Sequence, residues 1–465
     1  MALAQSYWPD VKIFELGEEF HDAVEPAEFP QCTARFLNRR AAGTVGLAEF
    51  TDDEWAAHFC RFEPLPDNLK HPLALRYHGH QFRVYNPDIG DGRGFLFAQL
   101  RDERGSLLDL STKGSGQTPY SRSADGRLTL KGGLREVLAT EMLEALGVNT
   151  SKSFALFETG EQLVRGDEPS PTRSSVLTRL SHGNIRIGSF QRQAFFKDSD
   201  AIARLTRYCL EHLYAESPAG DDAENALRLF NLVSQRTAEL AASYMAAGFV
   251  HGVLNSDNIN ITGESFDYGP WRFTPYWDGD FTAAYFDHFG LYSFARQAEA
   301  IHWDLAQLGG CLSLIAETAP LSDMLSRWGE RFEAALVAKL LWRLGVEPRD
   351  EASDHELARM LVDALDSKTA TIDRVFFDWR GVHDPGVDKY PSEQFRKLAT
   401  LLAGRERQPT HEYWLDAEPC SMHIEEVEAI WDAIADRDDW QPFEAKIAAI
   451  RRMGEAMLDG GSTVT

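Results

Sequence analysis

The chain has 465 residues, 43% of them hydrophobic and 26% charged, with a formal net charge of −25. This length exceeds what one simple core organises and predicts two or more lobes of a globular protein. The acidic balance argues against nucleic acid or an anionic membrane as a partner. No apolar run approaches the roughly 20 residues of a membrane helix, and the N-terminal segment shows no secretory pattern, so we expect a cytoplasmic protein.

Five cysteines are scattered along the chain without a CxxC spacing: Cys32, Cys60, Cys209, Cys311 and Cys420. We expect reduced, mostly buried thiols rather than disulfides or zinc ligands.

The chain begins with weakly patterned sequence. Residues 1 to about 50 show no sustained periodicity and are predicted to be irregular. Thr51 is a typical N-cap for the helix that follows it, and Pro64 and Pro66 are expected to end that helix.

A glycine-rich loop over residues 90–94 precedes an apolar strand predicted over 95–100. Backbone N–H groups around Gly90, Gly92 and Arg93 can cradle phosphate oxygens, although a plain hairpin turn is the alternative interpretation. The returning strand ends at Lys113, whose ammonium suits a phosphate.

Residues 114–133 are polar and rich in glycine, and they would form either a loop over a ligand or a surface loop. A helix is predicted over 134–146, with Glu136 in its first turn. Kinase sites position their phosphate-binding lysine with a helix glutamate, so we pair Glu136 with Lys113. A solvated glutamate is the alternative.

Four strands are predicted next, over SFALFET, EQLVR, SSVLTRL and NIRIGSF. They place Arg179 and Arg186 in the last two strands. Guanidinium groups bind phosphate in a fork, so both arginines are candidates for a triphosphate, although surface arginines are commoner. His182 between them is interpreted as a structural turn residue.

From about residue 198 the pattern changes to long amphipathic helices, predicted over 198–217 and 222–249. Strands followed by helices predict an α+β fold with two lobes around a cleft. His251, just after the second helix, is expected to pack and bond to backbone rather than act as a base.

The stretch LNSDNINITGESFDYGP, residues 254–270, concentrates Asp257, Asn258 and Asp267. Apolar alternation and then a glycine turn predict a short hairpin that brings Asn258 near Asp267. Two hard oxygen ligands suit a Mg²⁺ ion that arrives with nucleotide phosphates. Asp257 would then be free to accept a proton as the general base.

An aromatic-rich segment follows over residues 271–297, which would either recognise a protein substrate or form a rigid lid. Helices are predicted over 297–318 and 321–346. The last ~115 residues are interpreted as an acidic helical buttress without a site.

Seven ordered blocks resemble the selenoprotein O family (SelO/YdiU), the kinase-like protein adenylyltransferases grouped as pseudokinases. The blocks are GHQF at 79–82, GDGR at 90–93, KGSGQTPYSRSADGR at 113–127, LRE at 134–136, VLTRLSHGNIRIGSF at 176–190, HGVLNSDNINI at 251–261 and FDYGP at 266–270. The match runs from about Arg76 to about Leu314 and continues more weakly to the end.

The resemblance implies a protein-kinase-like two-lobe fold. Its parts would be an N-terminal extension (1–75), a strand-rich N-lobe (76–195), a helical C-lobe with the metal loop (196–350) and a helical C-terminal extension (351–465).

The implied reaction transfers AMP from ATP to a Ser, Thr or Tyr hydroxyl of a protein and releases pyrophosphate. In this family the nucleotide is flipped, so its α-phosphate faces the acceptor. Proteins with accessible hydroxyls, this chain included, are the implied partners. The implied roles are nucleotide binding by Gly90, Gly92, Arg93, Lys113, Asp125, Gly126, Arg179 and Arg186, pairing of Glu136 with Lys113, general base catalysis by Asp257, and binding of Mg²⁺ or Mn²⁺ by Asn258 and Asp267.

The sequence departs from the family pattern at several positions. Arg83 stands where a glycine is expected, Ser256 replaces a threonine, Ile259 replaces a methionine, and residues 181–184 differ from the usual run between the two arginines. The end, DGGSTVT, contains neither selenocysteine nor cysteine, so we do not expect redox control through a C-terminal cysteine.

Three functions stay open on the sequence. The first is protein adenylyltransferase activity, with UMP transfer from UTP as a variant. The second is ordinary kinase activity with γ-phosphoryl transfer, and the third is an ATP-binding scaffold without chemistry. The position of the label that reaches the acceptor distinguishes the first two.

Overall fold

The computed structural model describes residues 6–166, 168–380, 385, 388–405 and 409–459. The strand-rich first part and helical second part predicted from the sequence are both present, in a mixed α+β arrangement consistent with a two-lobe kinase-like fold. Over the described ranges, no helix combines the length and the apolar character needed to cross a bilayer. The end of the DGGSTVT segment, residues 460–465, lies outside the described residues.

One antiparallel sheet of eight strands organises the first lobe. Its order is β1-β3-β6-β7-β10-β9-β2, and β8 pairs with β10; β4 pairs with β5 and β11 with β12 in two small ribbons. The strands are β1 (His21–Ala23), β2 (Thr33–Leu37), β3 (Leu73–Leu75), β4 (Gly79–Gln81), β5 (Val84–Asn86), β6 (Leu96–Arg101), β7 (Leu107–Lys113), β8 (Leu128–Thr129), β9 (Lys152–Leu163), β10 (Thr172–Ser181), β11 (Phe249–Val250) and β12 (Arg272–Phe273).

The central pair β7 and β10 delivers two cations to the cleft. The strands run antiparallel, with Leu177 opposite Lys113 and Arg179 opposite Ser111. Almost every residue of both strands is buried, because a central strand is covered on both faces. Lys113 and Arg179 therefore enter the site from a rigid part of the sheet.

Fourteen helices lie in the described ranges. They are α1 (Arg39–Gly43), α2 (Asp52–Phe59), α3 (Leu130–Ala145), α4 (Ile187–Phe195), α5 (Ser199–Tyr208), α6 (Asp222–Ala247), α7 (Gln297–Leu312), α8 (Thr318–Ser326), α9 (Trp328–Leu344), α10 (Glu351–Asp366), α11 (Ile372–Trp379), α12 (Glu393–Leu402), α13 (Ile424–Arg437) and α14 (Gln441–Leu458). Thr51 caps α2 as predicted: its Oγ accepts from the Glu54 N–H, and the Glu54 carboxylate accepts from the Thr51 N–H.

Several predicted elements are wrong in type or extent. The segment NIRIGSF is not a strand, because α4 begins at Ile187 and buries Phe190 on its inner face. A short apolar run does not distinguish a buried helix from a strand. SFALFET and EQLVR form one strand, β9, which continues through Gly160.

The helix predicted over 198–217 ends as α5 at Tyr208 and continues as a π-helical turn, Cys209–Leu213. The helix predicted over 321–346 is two helices, α8 and α9, and the first of the predicted helices ends at Leu312.

Residues 1–50 are not wholly irregular. β1 and β2 form the two ends of the eight-stranded sheet, where they pair with β3 and β9. Strands of three and five residues are too short to show a clear alternation in sequence.

Helix α3, which carries Glu136, is supported by the C-terminal part of the chain. Arg451 on α14 makes a bidentate ion pair with Glu141 on α3, at 2.7 and 2.9 Å. Glu141 is only 4% exposed, so this pair compensates a buried charge.

The prediction that all cysteines are reduced is wrong for one pair, because Cys32 and Cys60 form a disulfide with a Cα–Cα distance of 6.0 Å. They lie beside the start of β2 and the end of α2, and packing of α2 on the sheet brings these positions together. A separation of 28 residues gave no local signal. Cys209 and Cys311 are buried free thiols, as predicted, and Cys420 is partly buried.

Candidate active site

The segment from Leu254 to Pro270 does not form the predicted hairpin. Asn260 instead bridges Arg186 at the start of α4, and Ser265 bridges Thr150 ahead of β9. Alternation indicates burial of one face, but it does not determine which strand supplies the partner. The segment is consequently held by the first lobe at two points.

Four predicted residues meet in one charged cluster. Lys113 is ion-paired with Glu136 on α3 and also contacts Asp267, with Nζ 2.5 Å from Oδ1. Arg179 lies 3.5 Å from the same oxygen of Asp267. Lys113 and Glu136 are 4% and 0% exposed, so the lysine is fixed between two carboxylates in a dry environment.

Asp267 is held in a left-handed backbone conformation, with φ of 63°. Arg135 on α3 anchors the residues that follow, because its guanidinium donates to the carbonyl of Trp271 and lies over the Trp271 ring. Burial alone would raise the pKa of the Asp267 carboxyl, but Lys113 and Arg179 hold that pKa well below its usual range. Asp267 is therefore ionised at neutral pH.

Arg186 forms a second cationic point beside this cluster. Its guanidinium is sandwiched between the Tyr77 and Phe266 rings, at 4.2 and 4.8 Å from their centroids. It donates to the Asp257 carbonyl at 3.0 Å and lies 3.6 Å from the Asp91 carboxylate. Its Nε is buried without a hydrogen-bond partner among the described residues, so it could donate to a bound anion.

Asp257 lies at the edge of the same site and is 8% exposed. Its Oδ1 is buried and has no hydrogen-bond partner in the described part of the chain. Burial raises the pKa of Asp257 to about 6, and Arg186 opposes the rise. A carboxylate with a raised proton affinity and a free oxygen suits a general base.

The Asp257 turn is tied to β4 by a small polar network. Ser256 Oγ accepts from the His80 backbone N–H at 2.7 Å and donates to Gln191 Oε1 at 2.6 Å. Gly79 approaches so closely that a Cβ there would lie 2.9 Å from Asp257 Oδ1. The serine that replaces the expected threonine at 256 therefore makes bonds that position the candidate base.

The glycine-rich loop is packed beneath the polar segment that follows Lys113. A Cβ at Gly94 would lie 2.0 Å from the Thr112 carbonyl, and one at Gly92 would lie 2.9 Å from the Tyr120 carbonyl. Ser121 Oγ donates to the Gly92 carbonyl at 2.5 Å. Part of segment 114–133 is thus packed against the glycine-rich loop, and the interpretation that it covers a ligand stays a prediction.

The loop also holds Gly90 and Arg93. A Cβ at Gly90 would meet the Tyr120 ring at 2.5 Å. The Arg93 carbonyl accepts from the Gly114 N–H at 2.6 Å, while its exposed guanidinium has no ion pair among the described residues and acts on Asp267 through its charge.

Asp125 and Gly126 are not joined to the charged cluster. The Asp125 carboxylate is held by the Arg165 guanidinium at 2.8 and 3.0 Å. Asp125 lines a separate cavity of about 470 Å³. The Gly126 carbonyl accepts from the Gly116 N–H, in the loop that follows Lys113. The prediction that they bind the nucleotide stays a prediction.

Two oxygen atoms of the predicted metal ligands have no other partner in the described residues. The Asn258 amide donates from Nδ2 to the Val253 carbonyl at 2.9 Å, which leaves Oδ1 as a potential ligand. Both cations that contact Asp267 reach Oδ1 and leave Oδ2 without a bonded partner in the described residues. No group of three or more His, Cys, Asp or Glu suited to a metal occurs within the described ranges, so an ion here would need phosphate or water oxygens as well.

Sequence reasoning missed the residues that orient Arg186. Asp91 and Phe266 lie inside the GDGR and FDYGP blocks, so their positions were readable, but Tyr77 is an aromatic residue outside the seven blocks. His251 packs as expected: it is fully buried, and Nε2 lies 3.1 Å from the Phe266 carbonyl.

Comparison with known proteins bears directly on this arrangement. A family model described as "Protein adenylyltransferase SelO" matches residues 3–417. The chain belongs to the SelO family. Membership identifies it as an enzyme with nucleotidyltransferase activity.

Curated relatives cover nearly the whole chain. A protein named "Protein nucleotidyltransferase YdiU" from Synechococcus elongatus is 40% identical over 96% of this chain and 95% of its own length. Proteins of the same name from Gloeobacter violaceus and Synechocystis are 41% and 39% identical over 94% and 92% of this chain. The charged cluster therefore lies in a SelO chain that these relatives match over more than nine-tenths of its length.

Proposed function

We propose that this SelO chain transfers AMP from ATP to hydroxyl groups of proteins. The observation that carries the proposal is the convergence of Lys113, Arg179 and Arg186 on the two carboxylates Asp267 and Asp91, beside Asp257. The three fixed cations, together with the proposed divalent ion, would neutralise the charge of a triphosphate, and nucleotidyl transfer needs charge neutralisation and alignment more than covalent help.

Each side chain has a distinct part in the proposed reaction. Glu136 fixes Lys113, and the aromatic sandwich fixes Arg186, so both would contact phosphate without reorganising. Asp257 would accept the hydroxyl proton through its free Oδ1. The acceptor oxygen then bonds to the α-phosphorus, and the bond from that phosphorus to the oxygen of pyrophosphate breaks.

Asn258 and Asp267 would hold Mg²⁺ or Mn²⁺. When bound, a divalent ion would neutralise phosphate charge and align the phosphate chain. This proposal is supported by the unengaged Oδ1 of Asn258 and Oδ2 of Asp267 described above.

The deciding experiment incubates the purified chain and a bacterial protein extract with Mg²⁺ or Mn²⁺ and ATP labelled on the α- or the γ-phosphate. We expect protein to acquire the α-label and not the γ-label. Transfer of the γ-label would make the protein a kinase, and transfer of neither label by an ATP-binding protein would make it a scaffold.

UMP transfer from UTP is tested in the same assay. The curated relatives are named nucleotidyltransferases without a specified base. α-labelled UTP at equal concentration measures base preference, and we expect ATP to be the better donor. Intact-mass analysis of the purified chain reports self-modification without a known substrate.

A further inference from the structure

A second site lies between the two lobes, in a cavity of about 970 Å³ that we name the cationic groove. One wall comes from the β6–β7 turn at Arg104 and the loop at Gly147 between α3 and β9. The other comes from α6 and α9, with Lys339 on α9. Among the described lining residues, none belongs to the candidate active site.

The groove has the opposite charge balance to the chain. It is lined by five arginine and lysine side chains and by a single carboxylate, Glu239, within the described residues. The cations are Arg101, Arg104, Arg236, Arg331 and Lys339. A local positive surface in a chain of net charge −25 concentrates anions at that point.

Part of this charge is already neutralised. Arg101 pairs with Asp10 at 2.7 Å, and Arg236 pairs with Glu239 at 3.0 Å. His212, which also lines the groove, contacts Glu15 at 2.6 Å. These three do not need a ligand.

The remaining cations have only neutral partners. Lys339 Nζ donates to the Gly147 carbonyl at 3.1 Å, and Arg331 donates to the backbone and side-chain oxygens of Asn231 at 3.0 and 2.6 Å. Arg104 makes no side-chain bond in the described part of the chain. None of the three has a carboxylate within ion-pair distance there. Burial lowers the pKa of Lys339, and the more distant Glu239 carboxylate only partly opposes that shift.

The shape of the groove fits a small molecule. Ala334, Ala335 and Ala338 line one face of α9 and leave room where larger side chains would fill the space. The Tyr214 ring and Leu240 add an apolar surface beside the cations. Small-molecule sites in proteins usually enclose about 300–1,000 Å³, and the groove lies at the upper end of that range.

We propose that the cationic groove binds a small molecule carrying two or more phosphate groups, held by Lys339, Arg331 and Arg104. Arginine matches phosphate oxygens with a fork and lysine supplies a point charge, and this combination recurs at polyphosphate sites. The site does not depend on the proposed reaction, so binding there is measurable whether or not the chain transfers AMP.

The test is calorimetric titration of the full chain with inorganic tripolyphosphate in the absence of divalent metal. Lys113→Met/Glu136→Leu is used as the background, because it weakens competing binding at the candidate active site without leaving a buried charge unpaired. We expect binding in this background that becomes at least about tenfold weaker in Arg331→Gln/Lys339→Gln, which keeps hydrogen-bond donors but removes two charges.

Matched variants separate charge from structure. Lys339→Arg retains the charge and should bind tripolyphosphate as tightly as the background does. Lys397→Gln, at an exposed side chain of α12, should leave the affinity unchanged. If the double variant is unstable, Arg104→Gln replaces it, because the exposed Arg104 side chain makes no bond in the described residues. Arg104→Gln should weaken tripolyphosphate binding several-fold. Titration with ATP shows which part of a ligand the groove recognises. Tighter binding of ATP than of tripolyphosphate indicates a nucleotide ligand, and equal affinity indicates recognition of the phosphate chain alone.

Two results would overturn the proposal. One is the absence of tripolyphosphate binding in the Lys113→Met/Glu136→Leu background. The other is binding that the neutralised groove variants leave unchanged.

Discussion

The candidate active site and the cationic groove are both built from arginine and lysine, but they treat the charge differently. In the active site each buried cation lies beside a carboxylate: Lys113 and Arg179 beside Asp267, and Arg186 near Asp91. In the groove, Lys339 and Arg331 are held by neutral oxygens. Buried charges are costly unless they are paired. The active-site cations are therefore held in place without a ligand, whereas the groove has positive charge that no nearby carboxylate neutralises.

This difference predicts different roles. In the active site, carboxylates already neutralise the cations, so further positive charge is needed to complement a triphosphate. The proposed divalent ion at Asn258 and Asp267 would supply that charge. A site with unbalanced cations can bind an anion directly. Substitutions that remove charges from each region in turn test whether the two regions have these different roles.

The largest expected effect is on the active site. Asp267→Ala should lower the rate of AMP transfer by about a thousandfold or more. The substitution removes a carboxylate that positions Lys113 and Arg179 and that is also a proposed metal ligand. Initial rates with α-labelled ATP measure it. Asp416→Ala, at an exposed ion pair with Arg452, is the matched control and should keep the wild-type rate. Near-normal transfer by the Asp267 variant would remove this residue from the mechanism.

Removing one partner of the buried pair should destabilise the fold. Lys113→Met leaves Glu136, which is fully buried, with an uncompensated charge, and we expect a loss of about 3 kcal/mol in the free energy of unfolding. Lys113→Met/Glu136→Leu removes both charges and should recover most of that loss while staying inactive. Urea unfolding compares the two variants. Equal stability of the single and double variants would show that the pair contributes no coupling energy.

Glu264 links the two regions, since it lies three residues before Asp267 and accepts from the backbone N–H of His182 at the groove. Burial raises its pKa to about 8, whereas an unfolded glutamate titrates near pH 4.3. The folded state therefore keeps a proton that the unfolded state loses, so this contribution to stability is complete below about pH 4 and is lost as pH rises towards 8.

The variant Glu264→Gln should remove that pH dependence. We expect it to be more stable than the wild type by roughly 2 kcal/mol or more at pH 8 and nearly equal to it at pH 4.5. Thermal unfolding across this pH range is the measurement, with the exposed Glu393→Gln as control. A difference that is the same at both pH values would show that Glu264 is ionised in the folded protein.

The smallest expected effect is on catalysis by the groove variants. Lys339→Gln should leave the rate of AMP transfer within about twofold of the wild type when no polyphosphate other than ATP is added, because the groove shares no residue with the active site. Initial rates over a range of ATP concentrations test it. A loss of tenfold or more would indicate that α9 positions the catalytic lobe and that the two regions are one functional unit.

Local patterns were sufficient for the order of elements and for part of the site. The strand that ends at Lys113 and the helix that begins before Glu136 are each readable from periodicity, and the two residues meet as predicted. The family resemblance was carried by blocks of short-range sequence and was confirmed over most of the chain. The catalytic, nucleotide-binding and metal-binding roles assigned to the candidate site residues all stay predictions.

Whatever depends on the choice of a distant partner was decided by the tertiary structure. The residues around Asn260 and Ser265 pair with Arg186 and Thr150 rather than with each other, and Cys32 meets Cys60 only because α2 packs on the sheet. The groove unites side chains from turns, loops and two helices that no spacing connects. The periodicity of a sequence indicates which face of an element is buried. The packing of the whole chain determines which element covers that face and which charged side chains have no oppositely charged partner.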